Sequence, residues 1–76
     1  MEPREAVLAV LREEAEPLHW TKVLDRALRQ GYLDPFVHRD VRGAVQRSLR
    51  DLVAEGAVTR VEKGVYAIVD QDDAEA

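Results

Sequence analysis

A chain of 76 residues has room for one small domain with a modest core, and a composition that is 46% hydrophobic and 34% charged belongs to folded globular proteins, not disordered ones. The absence of cysteine excludes disulfide scaffolds and thiolate metal sites, and no apolar run approaches the roughly 18 residues of a membrane span. The net charge of -4 argues at first sight against a nucleic-acid partner.

The distribution of that charge matters more than its sum. Asp70, Asp72, Asp73 and Glu75 stand together without a base and equal the whole net charge. Residues 37–63 carry six basic side chains (Arg39, Arg42, Arg47, Arg50, Arg60, Lys63) against four acidic ones (Asp40, Asp51, Glu55, Glu62). The residues before them run the other way, with five basic against seven acidic. The first ten residues are acidic at the start and lack the basic opening and cleavage site of a signal peptide, so a cytoplasmic location is expected.

The first element expected is a helix to about Ala15: Pro3 suits a first turn, Glu2 and Glu5 suit its positive end, and Ala6, Val7, Val10 and Leu11 keep helical spacing. Glu16-Pro17-Leu18 breaks it, because the residue before proline is pushed toward extended geometry. His19-Trp20-Thr21 opens a second helix with Trp20, Val23, Leu24, Ala27 and Leu28 on its apolar face, ended by Gly31 as a left-handed cap. Trp20 at that register is assigned to the core, with base stacking as the alternative. His19 is expected to cap the helix or to donate to a nearby carbonyl.

The third helix runs to Glu55-Gly56 and has two candidate starts. Asp34-Pro35 is a good cap and first-turn pair, while a separate turn over Asp34–Val37 would move the start to about His38. Val41, Val45, Leu49 and Leu52 form its apolar stripe, with Ala44, Ser48 and Val53 beside it and Phe36 expected to plug the core. Arg39, Arg42, Gln46, Arg47 and Arg50 form a basic stripe.

Residues 57–62 and 65–69 flank Lys63-Gly64, a pair suited to a tight hairpin turn. A regular two-residue turn pairs Val61 with Tyr66 and Thr59 with Ile68 on the face expected to cover the helices, leaving Arg60 and Ala67 on the other. The expected domain thus spans 1–69, followed by a disordered acidic tail over 70–76. The tail is read as solubilising, or as a screen over the basic helix.

No phosphate-binding glycine loop, metal-ligand spacing or serine nucleophile motif is present, and Ser48 lies beside the apolar stripe of a helix. No catalytic residue, metal or cofactor is expected. A basic helix followed at once by a hairpin predicts an α+β winged helix-turn-helix, three helices packed on a small antiparallel sheet, with a short strand at the Glu16–Leu18 break.

Glu16-Pro17-Leu18-His19-Trp20 before an apolar-periodic helix, with Gly64-Val65-Tyr66-Ala67-Ile68 closing a hairpin, resembles the HARE-type winged helix-turn-helix domain. That family includes domains of chromatin regulators, restriction-associated winged helices and the N-terminal domain of the bacterial RNA polymerase delta subunit. The resemblance covers about Glu5 to Val69 and implies association with DNA or with the transcription machinery.

Two functions are expected from these features. As a double-stranded DNA binder, the third helix would enter the major groove with Arg39, Arg42 and Gln46 at base edges and with Arg47, Arg50, Arg60 and Lys63 on phosphates. As a protein-interaction module of RNA polymerase or another nucleic-acid enzyme, the chain would use Tyr32, Leu33 or Phe36 as an exposed anchor. A homodimer fits either, since one such domain reads only a short half-site.

Overall fold

The computed structural model describes residues 1–69; the acidic run 70–76 and its expected roles lie outside the described residues. Helix α1 (Pro3–Glu14) starts on a proline, whose missing N–H costs nothing in a first turn, and the Glu2 N–H donates to the Glu5 carboxylate at 3.3 Å. It buries Ala6, Val7, Val10 and Leu11 and stops at Ala15, a left-handed residue (φ 55°) whose N–H donates to the Leu11 carbonyl at 3.0 Å.

Past the Pro17 break, β1 (Leu18–His19) pairs antiparallel with the last strand, Leu18 opposite Tyr66 and His19 opposite Val65. This is the short strand expected at the break. Helix α2 (Trp20–Arg29) is capped by His19, whose Nδ1 accepts the Thr21 N–H at 3.2 Å. Val23 and Ala27 are buried, while Trp20, Leu24 and Leu28 pack half-buried against the core. Gly31 (φ 77°) then lets the chain double back, so that the Tyr32 and Leu33 N–H groups both donate to the Ala27 carbonyl.

That return buries Leu33 and sets the course of the loop beyond it. Asp34 caps only a single turn: its carboxylate accepts the Phe36 N–H at 2.9 Å, and its carbonyl accepts from Val37 and His38. Helix α3 (Val41–Glu55) starts later than either expected position, with Asp40 accepting the Gly43 N–H at 3.0 Å as its cap. Because Leu33 has already taken the core position, Phe36 points outward and is 96% exposed, not a core plug, and Val37 beside it is 69% exposed. Tyr32 is tied back by its hydroxyl, which donates to the Glu13 carboxylate of α1 and so raises the phenol's pKa.

Val45, Leu49 and Leu52 of α3 are buried against α1 and α2, and Gly56 (φ 85°) ends the helix. Strands β2 (Val58–Glu62) and β3 (Val65–Ile68) follow, and the antiparallel sheet has the order β1-β3-β2 with β3 in the centre. The hairpin departs from the regular register. Glu62 pairs with Val65 as expected, but an irregularity between Arg60 and Glu62 leaves Val61 unpaired, so that Arg60 faces Tyr66, Thr59 faces Ala67 and Val58 faces Ile68. Val58 is therefore the buried valine and Val61 the exposed one, the reverse of the sequence expectation.

The described residues thus form an α+β domain, three helices against a three-stranded antiparallel sheet, around one core. Among them no helix is long and apolar enough to cross a membrane.

Candidate nucleic-acid interface

Helix α3 and the hairpin leave a groove between them of about 680 Å³. One wall comes from α3, where Gln46, Arg50 and Val53 stand at helical spacing on one side and the buried Leu49 lies beneath them. The other wall comes from the hairpin, where Arg60 and Tyr66 lie opposite each other across the β2–β3 ladder and Lys63 stands in the turn. Trp20 at the start of α2 closes the base of the groove.

The turn is held against that base. Trp20 N–H donates to the Gly64 carbonyl at 2.8 Å, and the Gly64 α-carbon approaches so closely that a Cβ there would lie 2.8 Å from His19 Nε2. With φ at +77°, this position needs glycine twice over: for its backbone angle and for its contact. The bulge matters as much, because it puts Val58 and Arg60 on the same side of the ladder as Ile68 and Tyr66 and brings Arg60 to the groove. A regular register would have turned it away.

The electrostatics of this face differ from those of the whole chain. No carboxylate lines the groove. Elsewhere among the described residues four cations are matched, Arg4 with Glu55 at 2.5 Å, Arg26 with Glu14 at 3.7 Å, Arg29 with Asp25 at 3.0 Å and Arg47 with Asp40 at 4.0 Å, while Arg12, Lys22 and Arg39 are not. Among the described residues Arg42, Arg50, Arg60 and Lys63 have no carboxylate within salt-bridge distance. The net negative charge is therefore carried away from the groove.

No family model, curated protein or solved structure matches this chain. The geometry of the fold divides the seven candidate residues. Gln46, Arg50, Arg60 and Lys63 meet in the groove. Arg42, in the first turn of α3, extends its guanidinium over the Trp20 ring, with Cζ 5.3 Å from the centroid. Arg47 stands on another face, beside Glu2, Pro3 and Arg4 of the α1 start and leaning toward Asp40. Arg39 precedes the cap residue and is exposed outside the helix. The single basic stripe is thus divided: Gln46 and Arg50 line the groove, Arg42 lies over its aromatic base, and Arg47 and Arg39 stand apart.

Sequence reasoning gave Trp20 to the core, with base stacking as the alternative, and did not single out Tyr66. Trp20 packs on the core with part of its surface and lines the groove with the rest, and Tyr66 does the same from β3. Trp20 at the first residue of its helix was the available signal, since an element end is seldom enclosed on all sides. Among the described residues, no group of three or more His, Cys, Asp or Glu side chains is arranged to hold a metal ion.

Proposed function

We propose that this chain is a small winged helix-turn-helix DNA-binding protein with a role in transcription, as its resemblance to the HARE-type domain implies. The element order helix, strand, helix, helix, hairpin supports the fold reading, with α2 and α3 as the helix-turn-helix and β2–β3 as the wing. The observation that carries the function is the groove lined by Arg50, Arg60, Lys63 and Gln46 with no carboxylate, and Arg42 over the Trp20 ring at its base.

On this reading α3 enters the major groove of double-stranded DNA. Arg42 and Gln46 are the residues for base edges, since arginine forks two bonds to guanine and glutamine pairs with adenine. Arg50, Arg60 and Lys63 hold phosphates, while Arg39 and Arg47 flank the contact from outside the groove. Three phosphate contacts correspond to a fall in log affinity of about 2.7 per tenfold rise in salt. Titration of labelled duplex at low and moderate salt tests this with the wild type and an Arg42→Ala, Arg50→Ala double variant. Salt-sensitive binding that the double variant loses supports the reading; a wild type that binds no duplex even at low salt rejects it.

One observation favours a second reading. Phe36 and Val37 form an exposed apolar knob, the kind of anchor a protein-interaction module of RNA polymerase or another nucleic-acid enzyme would use, or a second copy of this chain. A chain that binds no duplex but loses a protein partner, or its dimer, on Phe36→Ser belongs to this class.

A further inference from the structure

The major groove of a duplex receives a convex helix surface, and the exposed face of α3 is one. The space between α3 and the hairpin is concave, and a duplex has nothing that fits into it except a phosphate ridge. We propose that this groove takes an unpaired nucleic-acid strand, with a base against Trp20 and the flanking phosphates on Arg50, Arg60 and Lys63. The inference rests on the nucleic-acid reading above and adds the strand form that the groove selects.

The composition of the groove carries the argument. Its base is aromatic and apolar, from Trp20, Tyr66 and Leu49, and its rim is cationic. A single strand alternates the same two properties, flat bases with free π faces on an anionic backbone, and binds wherever a basic channel offers rings to stack on. In a duplex those faces are already stacked on each other. An acidic peptide would satisfy the rim and leave the rings unused. The volume of about 680 Å³ lies in the range of pockets that enclose small molecules, which limits the fit to a base or two.

The Arg42–Trp20 contact points the same way. The guanidinium, a flat delocalised cation, already lies over the indole at 5.3 Å and has no carboxylate partner among the described residues. A base can take its place over the ring, leaving Arg42 free to follow a phosphate, or can lie between the two. Either exchange replaces an exposed cation–π contact with a larger stacked one.

Trp20 is the only tryptophan, so its fluorescence reports on the groove directly. The full chain is titrated at low salt with an eight-residue oligothymidylate, a duplex of the same length, heparin as a base-free polyanion, and a polyglutamate peptide. The expected result is tighter binding of the single strand than of the duplex, with quenching of Trp20 that heparin does not reproduce. Trp20→Leu should weaken single-strand binding about tenfold or more, read by anisotropy of labelled oligonucleotide after circular dichroism has established folding. An Arg60→Glu, Lys63→Glu pair on the exposed rim tests the same site without touching the core and should weaken it at least as much. Duplex binding without quenching, and with no preference for the single strand, overturns the inference and leaves the proposed function intact. Failure of both nucleic acids overturns both. A polyglutamate peptide that quenches Trp20 and displaces the oligonucleotide at comparable concentration makes the groove a peptide site and overturns the inference as well.

Discussion

Arg60 lies directly across the β2–β3 ladder from Tyr66, and it does so because Val61, the next residue, is left out of the pairing. The extra residue shifts the first part of β2 by one place relative to a regular two-residue hairpin. Every side chain before it therefore changes face. Two valines measure this. Val58→Ala, at a fully buried position, should cost about 1–3 kcal/mol of folding stability. Val61→Thr, at a position 53% exposed, should stay within about 0.5 kcal/mol of wild type. Urea denaturation of both variants checks the register, and the opposite ranking would restore the regular hairpin and take Arg60 out of the groove.

The loop before α3 allows a similar comparison. Leu33 is 2% exposed and Phe36 is 96% exposed, so Leu33, expected as an exposed anchor, fills the core and Phe36, expected to plug it, does not. Leu33→Ala should cost about 2–5 kcal/mol, as for other fully buried leucines. Phe36→Ser should change stability by no more than about 0.5 kcal/mol, and any loss of self-association or partner capture in that variant then reflects the knob itself. A strongly destabilised Phe36→Ser would mean that the ring is buried after all.

These two cases mark where sequence reasoning stops. The extents of α1 and α2, the break at Pro17, the strand beyond it and the Lys63-Gly64 turn were all legible, because each rests on local chemistry: a proline, an apolar period or a glycine with positive φ. The start of α3 was not. Asp34 and Asp40 are both good caps, and the choice falls to Asp40 because Leu33 turns back onto the Ala27 carbonyl and leaves Asp34 to cap an isolated turn. The site divides in the same way. Arginines at 42, 47 and 50 are all solvent-facing on a helical wheel, but which of them meet the hairpin depends on how α3 packs between α1 and the sheet. A bulge of one residue leaves no mark in a run of alternating side chains, so the side chosen by Arg60 was hidden too.

Gly64 links the turn to the groove. An alanine there must adopt a φ near +77°, at a cost of about 1–2 kcal/mol for a side-chain-bearing residue. Its Cβ would also lie 2.8 Å from His19 Nε2, displacing the ring that caps α2. Gly64→Ala should therefore lose about 1–3 kcal/mol in urea denaturation. A double-mutant cycle with His19→Ala separates the causes: the backbone part persists and the contact part disappears. Strict additivity of the two substitutions would show that the ring and the turn do not press on each other.

Arg4 and Glu55 join the first turn of α1 to the last turn of α3 by two parallel hydrogen bonds, at 2.6 and 2.5 Å. Each charge alone sits at the unfavourable end of its helix, a cation near an N-terminus and an anion near a C-terminus, and the pairing offsets both. The bond from Arg4 holds the Glu55 carboxyl below its ordinary value of 4.5. A carboxyl whose folded pKa is depressed stabilises the fold above the unfolded pKa, and that contribution disappears as pH falls through the lower, folded value. Arg4→Gln should therefore melt below wild type near neutral pH, with the gap closing as the solution is acidified below about 4.5. Because both side chains are about half exposed, molar salt should narrow the gap at neutral pH as well. Melting curves of the two proteins across pH, at low and high salt, provide the check. A gap that persists unchanged in acid would assign the effect of Arg4 to its packing against α3 instead of its charge.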